Sequence, residues 1–200
     1  MRRIFLITAI ILLLPVIAVA QTESLLTNIK VSGGYGGPSM KFVHAYGEAA
    51  LLIGGQGAFV FNSRFALGAS GWGLATDHKT TNSTGTEYSC YFNYGGLHLE
   101  YLSNPEELLH HYFDVNICWG SLNFTEVGSA SGSEEPEDSL FILEPGAHMT
   151  LNLFQTFRVA AGVDYRFVFG FEDTTFDLYG LSKSDIEGYA ITFTFRFGRY

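Results

Sequence analysis

Basic residues and long apolar runs are scarce in this sequence. It has 11 Lys and Arg residues against 20 Asp and Glu residues, a formal net charge of −9, and a surface of this sign does not attract nucleic acid. After the first residues, no continuous apolar run is long enough to form a membrane-spanning helix. The glycines fall in strand patterns with no helix after them, so a phosphate-binding loop is not predicted.

Motifs for a metal centre or a catalytic triad are also missing. The six histidines have no metal-ligand spacing, since His98 and His148 belong to predicted strands that are two apart. His44 and His78 fall in separate loops, with no ordered Ser-His-acid spacing around them. The acidic run 134–138 lacks the ligand spacing of a calcium loop. We therefore predict a protein with no enzymatic activity, no cofactor and no metal site.

Aromatic residues and glycine, by contrast, are abundant and follow a period of two. The sequence has 18 Phe, 11 Tyr and 23 Gly, and residues 189–197 sort by face along an extended strand. One face carries Tyr189, Ile191, Phe193, Phe195 and Phe197, and the other carries Thr192, Thr194 and Arg196. Such a strand suits a barrel with lipid outside and polar side chains inside. It is predicted to be the closing strand of a transmembrane β-barrel.

Eight segments show this alternation, which predicts an all-β fold, an eight-stranded antiparallel up-and-down transmembrane β-barrel. The predicted strands are residues 28–36, 48–61, 64–74, 88–102, 110–124, 140–153, 157–169 and 189–197. Long connections at 38–47, 75–87, 125–139 and 170–188 alternate with short links at 62–63, 103–109 and 154–156. This asymmetry is typical of outer-membrane barrels, whose long loops lie outside the cell.

The N-terminus has the organisation of a secretory signal peptide. Basic residues at 2–3 precede an apolar run at 4–16, and small residues at 18–20 form a cleavage site. A membrane anchor is the alternative, but the run is shorter than the roughly 20 apolar residues that span a bilayer. We therefore expect a leader at 1–20 and one barrel domain at 21–200.

Strand parity assigns a mixed-charge set of side chains to the inside of the barrel. An eight-stranded barrel is only wide enough for its own side chains, so charges buried there have to pair or hold trapped water. We interpret the set as a salt-bridged plug; an ion path or a catalytic group is the alternative. This interior polar network is predicted to be Lys30, Glu100, Asp114, Glu144, His148, Arg158, Asp164, Arg166 and Arg196, with Gln56, His98 and Asn116 beside them.

The two cysteines, Cys90 and Cys118, also face inward, on neighbouring predicted strands. They lie directly opposite each other if the intervening turn is centred near Asn104, and a disulfide can then form in an oxidising envelope. If the turn is centred near Glu106 or Glu107, several residues of register separate them. The sequence leaves both registers open.

Several motifs resemble those of known small membrane barrels. They are Gly-Tyr-Gly-Gly-Pro-Ser at 34–39, Tyr-Gly-Gly-Leu at 94–97, Leu-Glu-Pro-Gly at 143–146, Gly-Val-Asp-Tyr-Arg-Phe at 162–167 and the aromatic ending at 193–200. With the eight alternating segments, they are similar to the OmpA-like and OmpX-like superfamily of outer-membrane β-barrels. More closely, they resemble a largely uncharacterised barrel family of Bacteroidetes-type bacteria. The resemblance implies an outer-membrane location and supplies no catalytic residues.

The resemblance also implies insertion by the barrel-assembly machinery, with Phe193, Phe195, Phe197 and Tyr200 as the assembly signal. Tyr200 is out of phase with the three phenylalanines. A bulge at Gly198 would bring it back into phase.

The predicted role is structural or interactive. Acidic extracellular loops would meet lipopolysaccharide, surface partners or a host ligand. One alternative is transport of a small or apolar solute in the manner of OmpW-like proteins, which needs a continuous cavity. A second is a lipid-modifying enzyme of the outer membrane, whose polar constellation is not found. The alternative fold is a soluble lipocalin-like barrel, which would carry apolar residues inside and polar residues outside.

Overall fold

The computed structural model describes residues 29–45, 48–81, 85–127, 138–170 and 182–199. The predicted leader, most of the acidic run (134–137) and Tyr200 lie outside these residues. A 3₁₀ turn at Lys183–Asp185 precedes the last strand. The strands of the described chain are β1 (Val31–Ala45), β2 (Glu48–Phe61), β3 (Phe65–Leu74), β4 (His78–Thr81), β5 (Glu87–Ser103), β6 (Leu109–Glu126), β7 (Asp138–Phe154), β8 (Phe157–Phe169) and β9 (Gly188–Arg199).

These strands close into an antiparallel barrel with eight strand positions. Apart from β3 and β4, strands that follow one another in the chain are hydrogen-bonded neighbours. In addition, β1 pairs with β9, and β3 pairs with β5. The short β4 extends the β3 position and pairs with the start of β5, where His78 faces Cys90. Because backbone hydrogen bonds run around the whole circumference, the prediction of an eight-stranded antiparallel barrel is confirmed.

Short turns lie at one end of the barrel, which we call the turn end. Asn62 and Ser63, between β2 and β3, have φ of +50° and +56°, the left-handed conformation that tight hairpin turns require. Gln155 and Thr156 connect β7 to β8. The connections from β3 to β5, from β6 to β7 and from β8 to β9 are longer and leave the opposite end, the loop end. The predicted alternation therefore holds for three of the four long connections.

The prediction of a long connection at 38–47 is wrong. Residues 38–45 continue β1, and only residues 46–47 separate it from β2. Pro38 faces Gly55 on β2, while on the β9 side the pairing stops at Gly36 and resumes at Ser39. Proline has no N–H to donate, so it fits at a gap in the ladder. A proline is therefore compatible with this position inside β1.

Outward side chains are apolar and inward side chains are polar through the middle of the barrel. In β9, Tyr189 and Ile191 are 71% and 53% exposed, whereas Thr192 and Arg196 are 2% and 0% exposed. A soluble barrel has the opposite arrangement, so the lipocalin-like alternative is not favoured. No helix within the described part of the chain is long and apolar enough to cross a membrane.

The end of β9 continues the ladder without a bulge. Phe193 and Phe197 face outward as predicted, and the pairing of β9 with β1 keeps one register through Gly198 to Arg199. Gly198 adopts φ +149°. A Cβ there would lie 2.7 Å from the Cα of Tyr35, so only glycine fits this close strand pair.

Two glycines of β3 provide a matched test of how tightly the strands pack. A Cβ at Gly68 would overlap the carbonyl oxygen of Gly57 and lie 2.7 Å from the Cβ of Ala58, whereas at Gly71 the nearest atom is 3.9 Å away. We expect Gly68→Ala to lower the free energy of unfolding by about 1–3 kcal/mol through overpacking. Gly71→Ala should be neutral or stabilising by about 0.5–1 kcal/mol. Urea titration of both variants in detergent measures this, and equal losses would contradict the packing model.

Candidate functional site

Strand alternation brings the interior polar network together from many sides of the barrel. Eight of its nine predicted members are at most 5% exposed, namely Glu100, Asp114, Glu144, His148, Arg158, Asp164, Arg166 and Arg196. Gln56, His98 and Asn116 are buried as well. Lys30 was wrongly included, because it precedes β1, which begins at Val31, and its side chain is exposed.

Arg196 on β9 and Glu100 on β5 meet across the barrel in a two-point ion pair. Nη1 and Nη2 of Arg196 donate to Oε1 and Oε2 of Glu100 at 2.8 and 2.9 Å. The guanidinium carbon lies 4.4 Å from the ring centre of Tyr35 and 3.8 Å from that of Tyr112. Both charged side chains are 0% exposed. Aromatic rings and a matched carboxylate therefore replace the water that the guanidinium loses on burial.

A chain of hydrogen bonds connects this pair to the next layer. The hydroxyl of Tyr35 donates to Glu100 Oε2 at 2.7 Å, and His98 Nε2 lies 3.2 Å from the same oxygen. The other ring nitrogen of His98 lies 2.9 Å from Asn116 Oδ1, which also accepts from Ser70 Oγ at 2.8 Å. Each side chain of this chain of hydrogen bonds has a partner on another strand, which couples the positions of β1, β3, β5 and β6.

Lys41 is an interior cation that the sequence analysis missed. It is 1% exposed, its Nζ donates to Glu144 Oε1, and it lies 4.0 Å from the ring centre of Trp72. Glu144 also accepts from the Tyr94 hydroxyl at 3.0 Å, and the Nε of Arg166 lies 4.0 Å from its second oxygen. Lys41 was missed because residues 38–47 were predicted to be a loop. Because Lys41 lies within β1, strand alternation directs its side chain to the inside of the barrel.

His148 on β7 lies between two aspartates on the adjacent strands. Its Nε2 is 3.0 Å from Asp114 Oδ1 on β6 and 3.2 Å from Asp164 Oδ1 on β8. The imidazole stacks on Tyr112, with ring centres 4.5 Å apart and an angle of 8° between the planes. Thr192 Oγ1 donates to the second oxygen of Asp164. These contacts hold His148 in one orientation.

Two glycines make room for this cluster. Gly146 faces Asp114 on one side and Asp164 on the other. A Cβ at Gly146 would overlap both Oδ1 atoms and lie 2.6 Å from His148 Nε2. A Cβ at Gly162, directly opposite His148, would lie 2.5 Å from its Cγ. In the sequence, the signal for this arrangement is a glycine at an inward-facing position of a strand, near charged residues. The sequence analysis does not use that signal to predict space for a neighbouring side chain.

Arg158 closes the network at the turn end. Its Nε donates to Asn152 Oδ1 at 2.8 Å and its Nη1 donates to the carbonyl oxygen of Gly198 at 3.0 Å. Asn152 in turn donates to the carbonyl oxygen of Pro105 at 3.0 Å. The guanidinium therefore ties β8 to β7, to the end of β9 and, through Asn152, to the turn between β5 and β6.

The inside of the barrel toward the loop end is apolar, which was not predicted. Buried side chains from every strand except β4, together with Ile186, form one cluster there, including Leu52, Phe92, Leu122, Phe124, Leu140, Ile142 and Val168. The sequence analysis placed several of these residues in strands but did not assign their side chains to the interior. A layer of aromatic and aliphatic side chains thus lies between the charged layer and the loop end.

Cys90 and Cys118 belong to this apolar cluster as free thiols. In the β5–β6 register Cys90 faces Phe124, and Cys118 faces Gly96. The turn is therefore centred near Glu107, as in the second of the two registers considered, and the disulfide is not formed. Side chains separated by six positions along paired strands are too far apart to be linked.

Comparison with known proteins supports the fold alone. No protein-family model matches the chain, and no curated protein matches its sequence. The N-terminal β-barrel domain of Pseudomonas aeruginosa OprF is 14% identical, with a TM-score of 0.55 over 84% of this chain and 98% of that chain. Ail of Yersinia pestis, bound to the heparin analogue sucrose octasulfate, is 15% identical, with a TM-score of 0.49 over 84% and 97%. Neisserial surface protein A is 9% identical, with a TM-score of 0.45 over 83% and 93%.

Of these three likenesses, the one to OprF is strong enough to support an inference, and at this identity it concerns the eight-stranded barrel fold. The resemblance to a barrel family of Bacteroidetes-type bacteria stays a prediction.

Glu187 anchors the loop end just before β9. Its Oε2 accepts from Lys183 Nζ at 2.9 Å and from the backbone N–H of Val168 at 3.1 Å. Burial acts to raise the pKa of Glu187, but these two hydrogen bonds outweigh it and hold the pKa below its usual value. The 3₁₀ turn is thereby attached to the end of β8.

The lowered pKa of Glu187 predicts acid-sensitive attachment of this turn. Its contribution to stability is present above the ordinary glutamate pKa and is lost as the pH falls through the lower folded-state value. Wild-type protein should therefore lose stability between about pH 5 and pH 3, whereas Glu187→Gln should lose less over that range. Thermal unfolding across this range measures the difference, with Glu106→Gln, an exposed glutamate in a turn, as the control. Identical pH profiles for wild type and Glu187→Gln would contradict the prediction.

The Arg196–Glu100 pair predicts a large asymmetry between single and double substitution. Arg196→Met leaves Glu100 as an unpaired buried charge and should cost about 3–5 kcal/mol. Adding Glu100→Gln removes that charge and should recover much of the loss. The control is Arg199→Met, an exposed arginine whose Nη2 donates to Gln155 at 3.2 Å, which should change stability by less than about 0.5 kcal/mol. Equal effects of the two arginine substitutions in urea unfolding would contradict this account.

Proposed function

We propose that the chain is an integral β-barrel of a bacterial outer membrane, closed to ions, with a structural or surface-interaction role. The observation that carries the proposal is the reversed polarity of the barrel. Large apolar side chains cover its outside while paired charges fill its middle. Water outside the barrel would oppose this arrangement, and a lipid hydrocarbon layer would stabilise it.

The outer surface supports a lipid-facing position. On β9, Ile191, Phe193 and Phe197 are 53%, 38% and 54% exposed, and on β6 Phe113 and Trp119 are 51% and 59% exposed. These outward positions belong to one continuous wall, because β6 to β9 are consecutive hydrogen-bonded strands. Exposed apolar surface of this extent is unfavourable for a soluble monomer.

The interior supports a plug in preference to a solute path. Arg196, Glu100, Lys41 and Glu144 are each at most 4% exposed and pair across the middle of the barrel. The apolar layer toward the loop end adds a second barrier for ions. A transporter of the OmpW-like kind would need a continuous cavity through both layers. An ion path would need charges that face water, and these face each other.

The surface role rests on the loops at the loop end. Most of the acidic residues expected there lie outside the described residues, including the run at 134–137. With the formal net charge of −9, they would favour cationic partners or divalent cations that bridge to lipopolysaccharide phosphates. A host or surface ligand is the other candidate partner. The proposal includes secretion through a leader at 1–20, insertion by the barrel-assembly machinery and no enzymatic activity.

Membrane fractionation and gel mobility of the full-length protein provide the decisive test. We expect the expressed chain in the outer-membrane fraction, and a detergent-solubilised sample should migrate differently before and after boiling. Ile191→Lys, which places a charge on the outer face, should lower stability in lipid by up to about 2–4 kcal/mol. The matched control Glu48→Lys alters an exposed position at the loop end of β2 and should be tolerated. A protein that stays soluble without detergent would refute the proposal.

Two further measurements separate the alternative functions. Planar-bilayer recordings of the purified protein should show no stable conductance, and a persistent open channel would favour the transport alternative. Incubation with outer-membrane lipid followed by lipid mass spectrometry should show no change. A new lipid product that requires the folded barrel would favour the enzyme alternative.

A further inference from the structure

The Asp114–His148–Asp164 cluster has more acceptors than its histidine can serve. One ring nitrogen, Nε2, lies 3.0 and 3.2 Å from the Oδ1 atoms of Asp114 and Asp164. A ring nitrogen carries at most one hydrogen, so a single N–H faces two carboxylate oxygens. The three side chains are at most 3% exposed, and one ligand atom from each lies within 4.8 Å of the other two. One imidazole nitrogen and two carboxylate oxygens are ligands that suit a divalent ion of intermediate softness, such as Zn²⁺.

We propose that this cluster is a divalent-cation site, best suited to Zn²⁺, inside the barrel. On binding, the ion would take the place of the Nε2 proton; Nδ1 carries the one remaining ring proton, so that the imidazole coordinates as the neutral ligand, and any second ring proton leaves to solvent. Two carboxylates and the ion then form a neutral unit in a buried layer. Mg²⁺ and Ca²⁺ fit less well, because they prefer oxygen ligands throughout.

The outer oxygens of both aspartates are already held by other groups. Asn116 Nδ2 donates to Asp114 Oδ2 at 3.3 Å. Thr192 Oγ1 donates to Asp164 Oδ2, and Lys41 Nζ lies 3.9 Å from that atom. Such contacts orient the side chains that coordinate a metal and raise the affinity of metal sites. They leave the two Oδ1 atoms directed at His148, where the ion would bind.

The backbone beside the cluster is shaped for these ligands, which is an independent observation. The three atoms nearest to a Cβ built on Gly146 are Asp164 Oδ1, Asp114 Oδ1 and His148 Nε2, all within 3 Å. The three ligand atoms therefore converge on this single point of β7, and glycine is the residue that lets them approach it. The Nδ1 of the buried His148 has no hydrogen-bond partner among the described side chains, so no other group competes for that nitrogen, and it can carry the ring proton while Nε2 presents its lone pair to the ion.

Metal retention after refolding tests the proposal. The full-length chain is unfolded in urea and refolded in detergent with either Zn²⁺ or EDTA, because a buried site loads as the barrel closes. After gel filtration, mass spectrometry of the metal should find about one Zn²⁺ per wild-type chain. His148→Gln keeps a hydrogen-bonding side chain but removes the ligand, and Asp164→Asn removes one charge; both should lose most of the zinc. The control His111→Gln alters the exposed histidine of β6 and should retain the wild-type amount.

Three results would overturn the proposal. Wild-type protein that retains no Zn²⁺ excludes the site. Retention that survives both His148→Gln and Asp164→Asn assigns the metal to the surface. If neither variant folds, the wild-type unfolding temperature decides, since Zn²⁺ bound to the native state should raise it relative to EDTA-refolded protein, and an unchanged temperature counts against the site.

Discussion

The closed backbone ladder is the constraint on which the rest of this structure depends. Eight strand positions with no free edge satisfy the backbone groups around the circumference, and they also set an interior just wide enough for side chains. Every second residue of each strand must therefore enter a narrow space already occupied by side chains from other strands. Charges can occupy that space only when a partner arrives from across the barrel, as Glu100 does for Arg196.

The interior is divided along the barrel axis by kind of interaction. Ion pairs and aromatic faces fill the middle, where Lys41 meets Glu144 and Trp72, and an apolar layer that contains Leu122 and Phe124 fills the space toward the loop end. The two layers oppose passage for different reasons, since the side chains of the charged layer fill the interior and face one another, and the apolar layer offers no hydration. A lipid-facing wall and a filled interior together favour a protein that acts through its exposed end.

The same crowding gives one part of the interior a chemistry of its own. Around Gly146 the barrel wall carries no side chain, and His148 and two aspartates converge in the space that remains. Arg196 and Glu100 match two N–H donors with two carboxylate oxygens, whereas this cluster shares one N–H between two acceptors. A small cation is the group that would satisfy both carboxylates with the fewest atoms.

The sequence by itself determined the barrel, its strand count and the inward direction of eight charged or ionisable side chains, because period-two alternation directly encodes which face of a strand a residue occupies. It could not determine where each strand begins and ends. Lys41 was therefore predicted to lie in a loop, and Lys30 was predicted to lie inside the barrel. Only the tertiary structure decided the register between β5 and β6 that separates Cys90 from Cys118, since alternation repeats every two residues and permits several registers. It alone also decided which charges meet, because those contacts cross the barrel between strands distant in sequence, and parity assigns a face but not a partner.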